Sequence, residues 1–291
     1  MRLAEVGEFG LLAELESRGL VRGIGDDAAV VDGVVVTQDM LVERVHFRLE
    51  WTSWRDLGYK AAAVNLSDLA AMGAVPRGLL VSLALPRDLD VDVVYELYEG
   101  LAEAGFPVLG GDTSAAREVA VSATALGVSE RVPGRAGAVP GDALVVTGPL
   151  GGAAAGLYTL EHGLEGFGEL VRAHLRPPFR LDAARVLAPV AHALIDLSDG
   201  IASDAARIAE RSRCRLVIDV DRLPLAPRLA EVADLPFWTR GEDYELLAAL
   251  APTDADSLAF PTVGRCDEGT GVELRLRGEP LAARGWDHFR P

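Results

Sequence analysis

The chain has 291 residues, with 28 Lys plus Arg against 44 Asp plus Glu and a formal charge of −16. Its 49% hydrophobic and 25% charged residues are those of a globular protein, of a length for one large domain or two of moderate size. The acidic balance and the lack of a basic run argue against nucleic-acid binding, and no segment reaches the ~20 apolar residues of a membrane helix. A phosphorylated small molecule is not excluded, because carboxylates hold Mg²⁺ and Mg²⁺ holds phosphate.

In chain order, residues 5–18 read as a short helix, followed by the glycine-rich GIGDDAA (23–29). Two β-branched runs around Asp32-Gly33, within residues 28–37, predict a hairpin that carries Gln38 and Asp39 to its far end. Ser53 or Thr52 caps a helix from Trp54 to about Met72, stopped by Gly73. Strands are expected at 78–86, 107–114 and 119–128, with a helix at 91–104. The Gly- and Pro-rich stretch 130–142 is the best boundary between a unit at 1–136 and another at 137–291. Beyond it come strand, glycine turn (GPLGG, 148–152) and helix, then RPPF (176–179) and a helix at 182–190. ALIDLSDG (193–200) is a strand ending in a polar turn, with a helix at 201–212. Strands at 215–220, 244–250, 261–265 and 271–278 complete the pattern. Alternating strands and helices in both halves indicate two α/β domains.

Cys214 and Cys266 lack CxxC spacing and fit a reducing cytoplasm, and MRLAEVGEFG has no signal-peptide pattern. Lys60 is the sole lysine and has no glycine pattern before it, so a Walker-type phosphate loop is excluded. The histidines at 46, 162, 174, 192 and 288 show no HxxxH pair, which disfavours zinc.

The acids cluster at element ends: Asp26-Asp27, Asp39, Asp68, Asp112 and Asp196/Asp199. Singly, each is an ordinary turn or cap residue. Together, GDD, TQD, NLSD, GGD and DLSD concentrate like charge that a cation must neutralise, and Mg²⁺ with its oxygen ligands suits them. GGDTS and GPLGG are phosphate-cradling candidates, because glycine lets backbone N–H groups approach an anion. Arg135 is a candidate phosphate fork.

GEFGLL, GIGDDAAV, TQDMLVERVHF, NLSDLAAMGA, GGDTS, DLSDGIASD, GEDYELL and GWDHF, in that order across residues 7–289, resemble the thiamine-monophosphate kinase family. That family belongs to the aminoimidazole-ribonucleotide synthetase-like, ATP-using superfamily. The resemblance implies a two-domain α/β (α+β) fold, with an N-terminal mixed sheet that dimerises and a C-terminal α/β domain. It implies transfer of phosphate from ATP to thiamine monophosphate with several Mg²⁺ ions in a cytoplasmic homodimer. Carried over, Asp27, Thr37, Asp39, Asp68, Asp112, Asp196 and Asp199 are metal ligands, Asp39 and Asp68 being central to catalysis. Tyr98, Gly111, Arg135 and Ser198 are nucleotide contacts, and His46, Glu242 and Trp286 form the thiamine-phosphate site, Trp286 offering its ring to a cation. Gln38 stands where the family motif commonly has threonine and is left out of the ligand set. The alternative within the superfamily is a synthetase forming aminoimidazole ribonucleotide or selenophosphate.

Overall fold

The computed structural model describes residues 2–281; Trp286 and the GWDHF segment lie outside the described residues. Asp32 and Gly33 both take positive φ (50° and 83°), which matches the twist of a tight hairpin and folds β1 (Ala29–Val31) back on β2 (Val34–Val42). β2 then pairs with β5 (Ala120–Val128), β5 with β3 (Val75–Leu85), and β3 with β4 (Val108–Ala115). The order is β1-β2-β5-β3-β4, with only β3–β4 parallel, joined by the crossover helix α3 (Val91–Glu103). Strand alternation sends Val35, Thr37, Leu41, Val121, Ala123, Leu79 and Val81 to the covered face. Val34, Met40 and Leu80 are exposed on the other.

After α1 (Leu3–Ser17), the helix expected at 5–18, helix α2 (Trp54–Ala71) covers that first sheet. Its cap is Ser53, whose Oγ accepts from Asp56 N; Thr52 is buried and takes no part. A Cβ on Gly58 would sit 1.9 Å from Leu97 O, and one on Gly100 1.9 Å from Arg55 O. This reciprocal pair lets α2 and α3 touch backbone to backbone. The end of α2 also packs on the second sheet, where Ala70 and Ala71 join Val145, Leu194 and Ala248. A single helix is thus shared by two cores.

The second sheet runs β12-β11-β8-β10-β6-β9-β7, with only β8–β11 parallel. Its strands are β6 (Ala143–Val146), β7 (Ala193–Asp196), β8 (Arg215–Asp219), β9 (Leu246–Leu250), β10 (Thr262–Asp267), β11 (Gly271–Leu276) and β12 (Glu279–Leu281). Helix α7 (Ile201–Ser212) covers one face, while α6 (Leu181–Leu187) and α9 (Pro252–Leu258) join α2 on the other. Helices α4 (Gly152–His162) and α5 (Gly168–Leu175) pack beside a smaller cluster with α8 (Leu229–Val232). The mixed sheets agree with the expected class. The expected strand at 244–250 begins only at Leu246, because Glu242 and Tyr244 hold positive φ (68° and 50°) and form a tight turn. Helices α5 and α9 were not expected.

Candidate active site

Helix α2 carries polar side chains through an otherwise apolar run, and its 3.6-residue period sorts them onto two faces. Lys60 and Ser67, two turns apart, point at the second half of the chain: Lys60 Nζ donates to Glu242 Oε1 at 2.9 Å, and Ser67 Oγ to Asp196 Oδ2 at 2.7 Å. Asn65 and Asp68 point at β2. Asn65 Oδ1 accepts from Asp39 N at 3.2 Å, and Asp68 Oδ2 accepts from the Thr37 hydroxyl. Gln38, one residue out of phase, turns to the opposite face of the sheet and donates to Ser122 Oγ, so its side chain leaves the acidic group.

These contacts bring Asp27, Asp68 and Asp196 together, each offering an oxygen within 4.8 Å of the others. Lost hydration pushes the Asp68 carboxyl well above the usual carboxylate range, and Asp39, Asp196 and Asp27 push it further. Asp196 is raised by burial and by Asp27. Asp39 is raised to about 6, chiefly by burial, and Asp199 adds to the rise. Asp27 is also paired with Arg135, whose Nη2 donates to Asp27 Oδ1 at 2.7 Å. Burial opposes the Arg135 charge, but Asp27 more than offsets it and keeps the guanidinium charged. A crowd of hard oxygen donors that cannot all ionise unaided is the donor set expected to take a divalent cation.

Two turns meet at this centre. The 196–199 turn accepts and donates backbone hydrogen bonds with residues 242–245: Glu242 N to Ser198 O (2.8 Å), Tyr244 N to Leu197 O (2.9 Å) and Leu197 N to Glu245 O (2.8 Å). Gly241 makes the approach possible, since a Cβ there would lie 1.8 Å from Ser198 O. Each acid of the second turn has its own partner. Glu245, buried, receives Thr147 Oγ1 (2.6 Å) and a two-pronged Arg180 guanidinium. Asp243, also buried, accepts from Gly151 N (2.8 Å) and Ala153 N (3.4 Å) at the start of α4. GPLGG therefore does not serve as an open phosphate cradle: its Gly151 N–H is taken by a carboxylate of the chain itself, and its Leu150 N–H by Pro224 O (2.7 Å).

Asp112 stands apart from the three carboxylates. It lies exposed on β4 and lines a cleft of about 510 Å³ with Tyr98, Gly110, Gly111 and Thr113, so two expected nucleotide contacts share one concavity. His46 sits in the turn after β2, where Nδ1 accepts from Val42 N (3.0 Å), leaving the neutral ring's proton on Nε2. Asp199 lies beside buried Asp204, whose Oδ2 accepts from Asp199 N (3.1 Å). Trp286 falls outside the described residues.

Residues 25–129 match the AIR synthase related protein N-terminal domain, and residues 139–259 the corresponding C-terminal domain. The thiamine-monophosphate kinase of Aquifex aeolicus is 35% identical over 99% of this chain and 100% of its own length. That of Bacillus subtilis is 34% identical over 97% and 99%. The chain belongs to the thiamine-monophosphate kinase family. A solved member, "AaThiL complexed with AMPPCP and TMP", superposes with a TM-score of 0.92 at 35% identity, covering 99% of both chains. The hydrogenase maturation protein HypE in complex with ATP, at 19% identity and a TM-score of 0.73 over 99% of both chains, shares the fold.

Lys60, Asn65, Ser67, His174, Asp204 and Tyr244, which contact or adjoin the expected site residues, were not among the sequence candidates. The signal for Asn65 and Ser67 was present: both are buried polar residues in an Ala/Leu-rich helix. Asp243 has a measurable consequence. Burial raises its carboxyl to about 7, although Gly151 and Ala153 N–H pull it down. Folding therefore takes up a proton here between about pH 4 and the folded value. The stabilisation is complete at acid pH and is lost as pH rises through about 7. Asp243→Asn keeps an acceptor oxygen but cannot titrate. Chemical denaturation should show the variant gaining stability relative to the parent as pH rises across that window; a pH-independent gap would contradict the assignment.

Proposed function

We propose that this chain transfers the γ-phosphoryl group of ATP to thiamine monophosphate, giving ADP and thiamine diphosphate, by one in-line displacement at a Mg²⁺-holding acidic centre. The reading rests on the convergence of Asp27, Asp68 and Asp196 in a chain 35% identical to a relative solved with AMPPCP and TMP. The donor set fits Mg²⁺: all ligands are oxygen, and the carboxyls are raised first by burial and then by mutual crowding, which a divalent cation would relieve. Asp27, Thr37, Asp39, Asp68, Asp112, Asp196 and Asp199 would hold the ions. When bound, Mg²⁺ neutralises the phosphates and lessens the repulsion between two anions.

The chain's own groups then bind and orient. Tyr98 and Gly111 line the nucleotide cleft, and Ser198, on the turn bonded to Glu242 N, would be a further nucleotide contact. Arg135, charged and partly exposed, offers its guanidinium to phosphate. His46, held in the turn after β2 by Val42 N, would contact the phosphate of the acceptor. Glu242, with Trp286, receives the thiamine: a carboxylate and an aromatic face suit a thiazolium cation and an exocyclic amine. The acceptor is already a phosphate monoester, largely ionised near neutrality, so no strong general base is needed.

Two units, 1–136 and 137–291, fit the two cores, whose strands end at Val128 and resume at Ala143. A homodimer through the first sheet is favoured by the exposed Val34, Met40 and Leu80 on its uncovered face. The free thiols of Cys214 and Cys266 favour the cytoplasm. Transfer from ATP made chiral at the γ-phosphorus should proceed with inversion; retention would overturn the single displacement.

A further inference from the structure

Lys60 is the only lysine in the chain and is 1% exposed. A buried ammonium is unfavourable unless paired, so its position requires a reason. Its Nζ lies 2.9 Å from Glu242 Oε1. His174, on α5 and 5% exposed, places Nδ1 3.0 Å from the other oxygen, Oε2, at ion-pair distance but off the hydrogen-bond line. Both carboxylate oxygens are thus met from behind. The pair is asymmetric: the lysine side chain is closed off, whereas the Glu242 side chain keeps 28% of its surface open. The backbone beneath it is fixed by the positive φ of Glu242 and its bond to Ser198 O. A charge pair with a buried cation and an open anion is arranged to present the anion.

We infer that Lys60, seconded by His174, is a positioning residue that fixes Glu242 as an oriented carboxylate for the cationic, amine-bearing acceptor. The inference rests on the proposed contact between Glu242 and thiamine monophosphate. Among the described residues, the charged and titratable groups acting on or acted on by Glu242 are Lys60 from α2, His174 from α5, and Asp243 and Tyr244 on its own turn. Asp39, Asp68 and Asp196 act, with Glu242, on the buried Tyr244 phenol. Burial alone would raise the Glu242 carboxyl, but Lys60 and His174 outweigh it and hold it at about 2. Without Lys60, Glu242 would protonate at higher pH and lose its orientation.

The test is steady-state kinetics in both substrates for Lys60→Met, Lys60→Arg, His174→Gln, Glu242→Gln and the Lys60→Met/Glu242→Gln double variant. Lys60→Met should raise KM for thiamine monophosphate by on the order of tenfold and leave KM for ATP nearly unchanged. Its kcat/KM relative to the parent should fall further as pH is lowered, a trend a structural defect would not produce. Lys60→Arg should recover part of the loss, His174→Gln should raise the same KM by less, and the double variant should be no worse than Glu242→Gln. Should Lys60→Met fail to fold, the arginine and His174 variants carry the same comparison. An unchanged KM in Glu242→Gln overturns the substrate role of Glu242 and this inference with it. A raised KM there, with parental kinetics in Lys60→Met, or losses that multiply in the double variant, overturns the inference alone.

Discussion

Asp68→Asn should lose turnover by on the order of 10³ in kcat while remaining at least as stable as the parent. The two halves of this expectation have one cause. Asp68 faces Asp39, Asp196 and Asp27, and its carboxyl is raised by lost hydration and by those three like charges. Replacing it by a neutral amide keeps an acceptor for the Thr37 hydroxyl and removes repulsion from the metal-free protein. The same change deletes a central anion from the set proposed to hold Mg²⁺, and neutral amides ligate that ion more weakly. Thermal unfolding in chelator and kcat at saturating ATP, thiamine monophosphate and Mg²⁺ would measure both. A stable Asp68→Asn enzyme with near-parental turnover would remove Asp68 from the centre.

Gly241→Ala should be nearly as damaging, although Gly241 carries no chemistry. Its added Cβ would fall 1.8 Å from Ser198 O and 2.9 Å from the Asp199 Cα, contacts with backbone that no rotamer can relieve. The turn bearing Glu242 would be forced from the turn bearing Asp196, Ser198 and Asp199, breaking the Glu242 N to Ser198 O bond. Overpacking of this kind costs about 1–3 kcal/mol of stability. Misplacement of about 1 Å between reacting partners costs on the order of 10² in rate. The loss should appear in kcat as well as in KM for thiamine monophosphate, because acceptor and metal turns separate together. Parental kinetics with only a lowered Tm would show that the registry of the two turns does not matter.

The hairpin was legible because Asp32-Gly33 supplies two positive-φ positions between β-branched runs, and α2 because Ser53 caps an unbroken helical run ended by Gly73. The grouping of Asp27, Asp68 and Asp196 followed from acids placed at element ends, although the chain order alone does not say which ends meet. The direction of Gln38 was readable as well, since adjacent residues of a strand face opposite sides and its neighbours Thr37 and Asp39 were both assigned as metal ligands. Contacts set by tertiary packing were not legible. Lys60 and Glu242 are 182 residues apart, and nothing local to either names the other. GPLGG read as a phosphate loop because its glycines were visible while Asp243, which fills it, lies in a distant turn. Tyr244 read as the start of a strand because aromatic residues favour strands, but it lies at positive φ in a turn whose N–H bonds to the distant Leu197 O.

The most direct measurement is the stoichiometry of products when the purified protein is incubated with ATP, Mg²⁺ and thiamine monophosphate. One thiamine diphosphate formed for each ADP, with no inorganic phosphate released, is the result expected of a single transfer between two bound phosphates. ADP accumulating with inorganic phosphate and without thiamine diphosphate would contradict it.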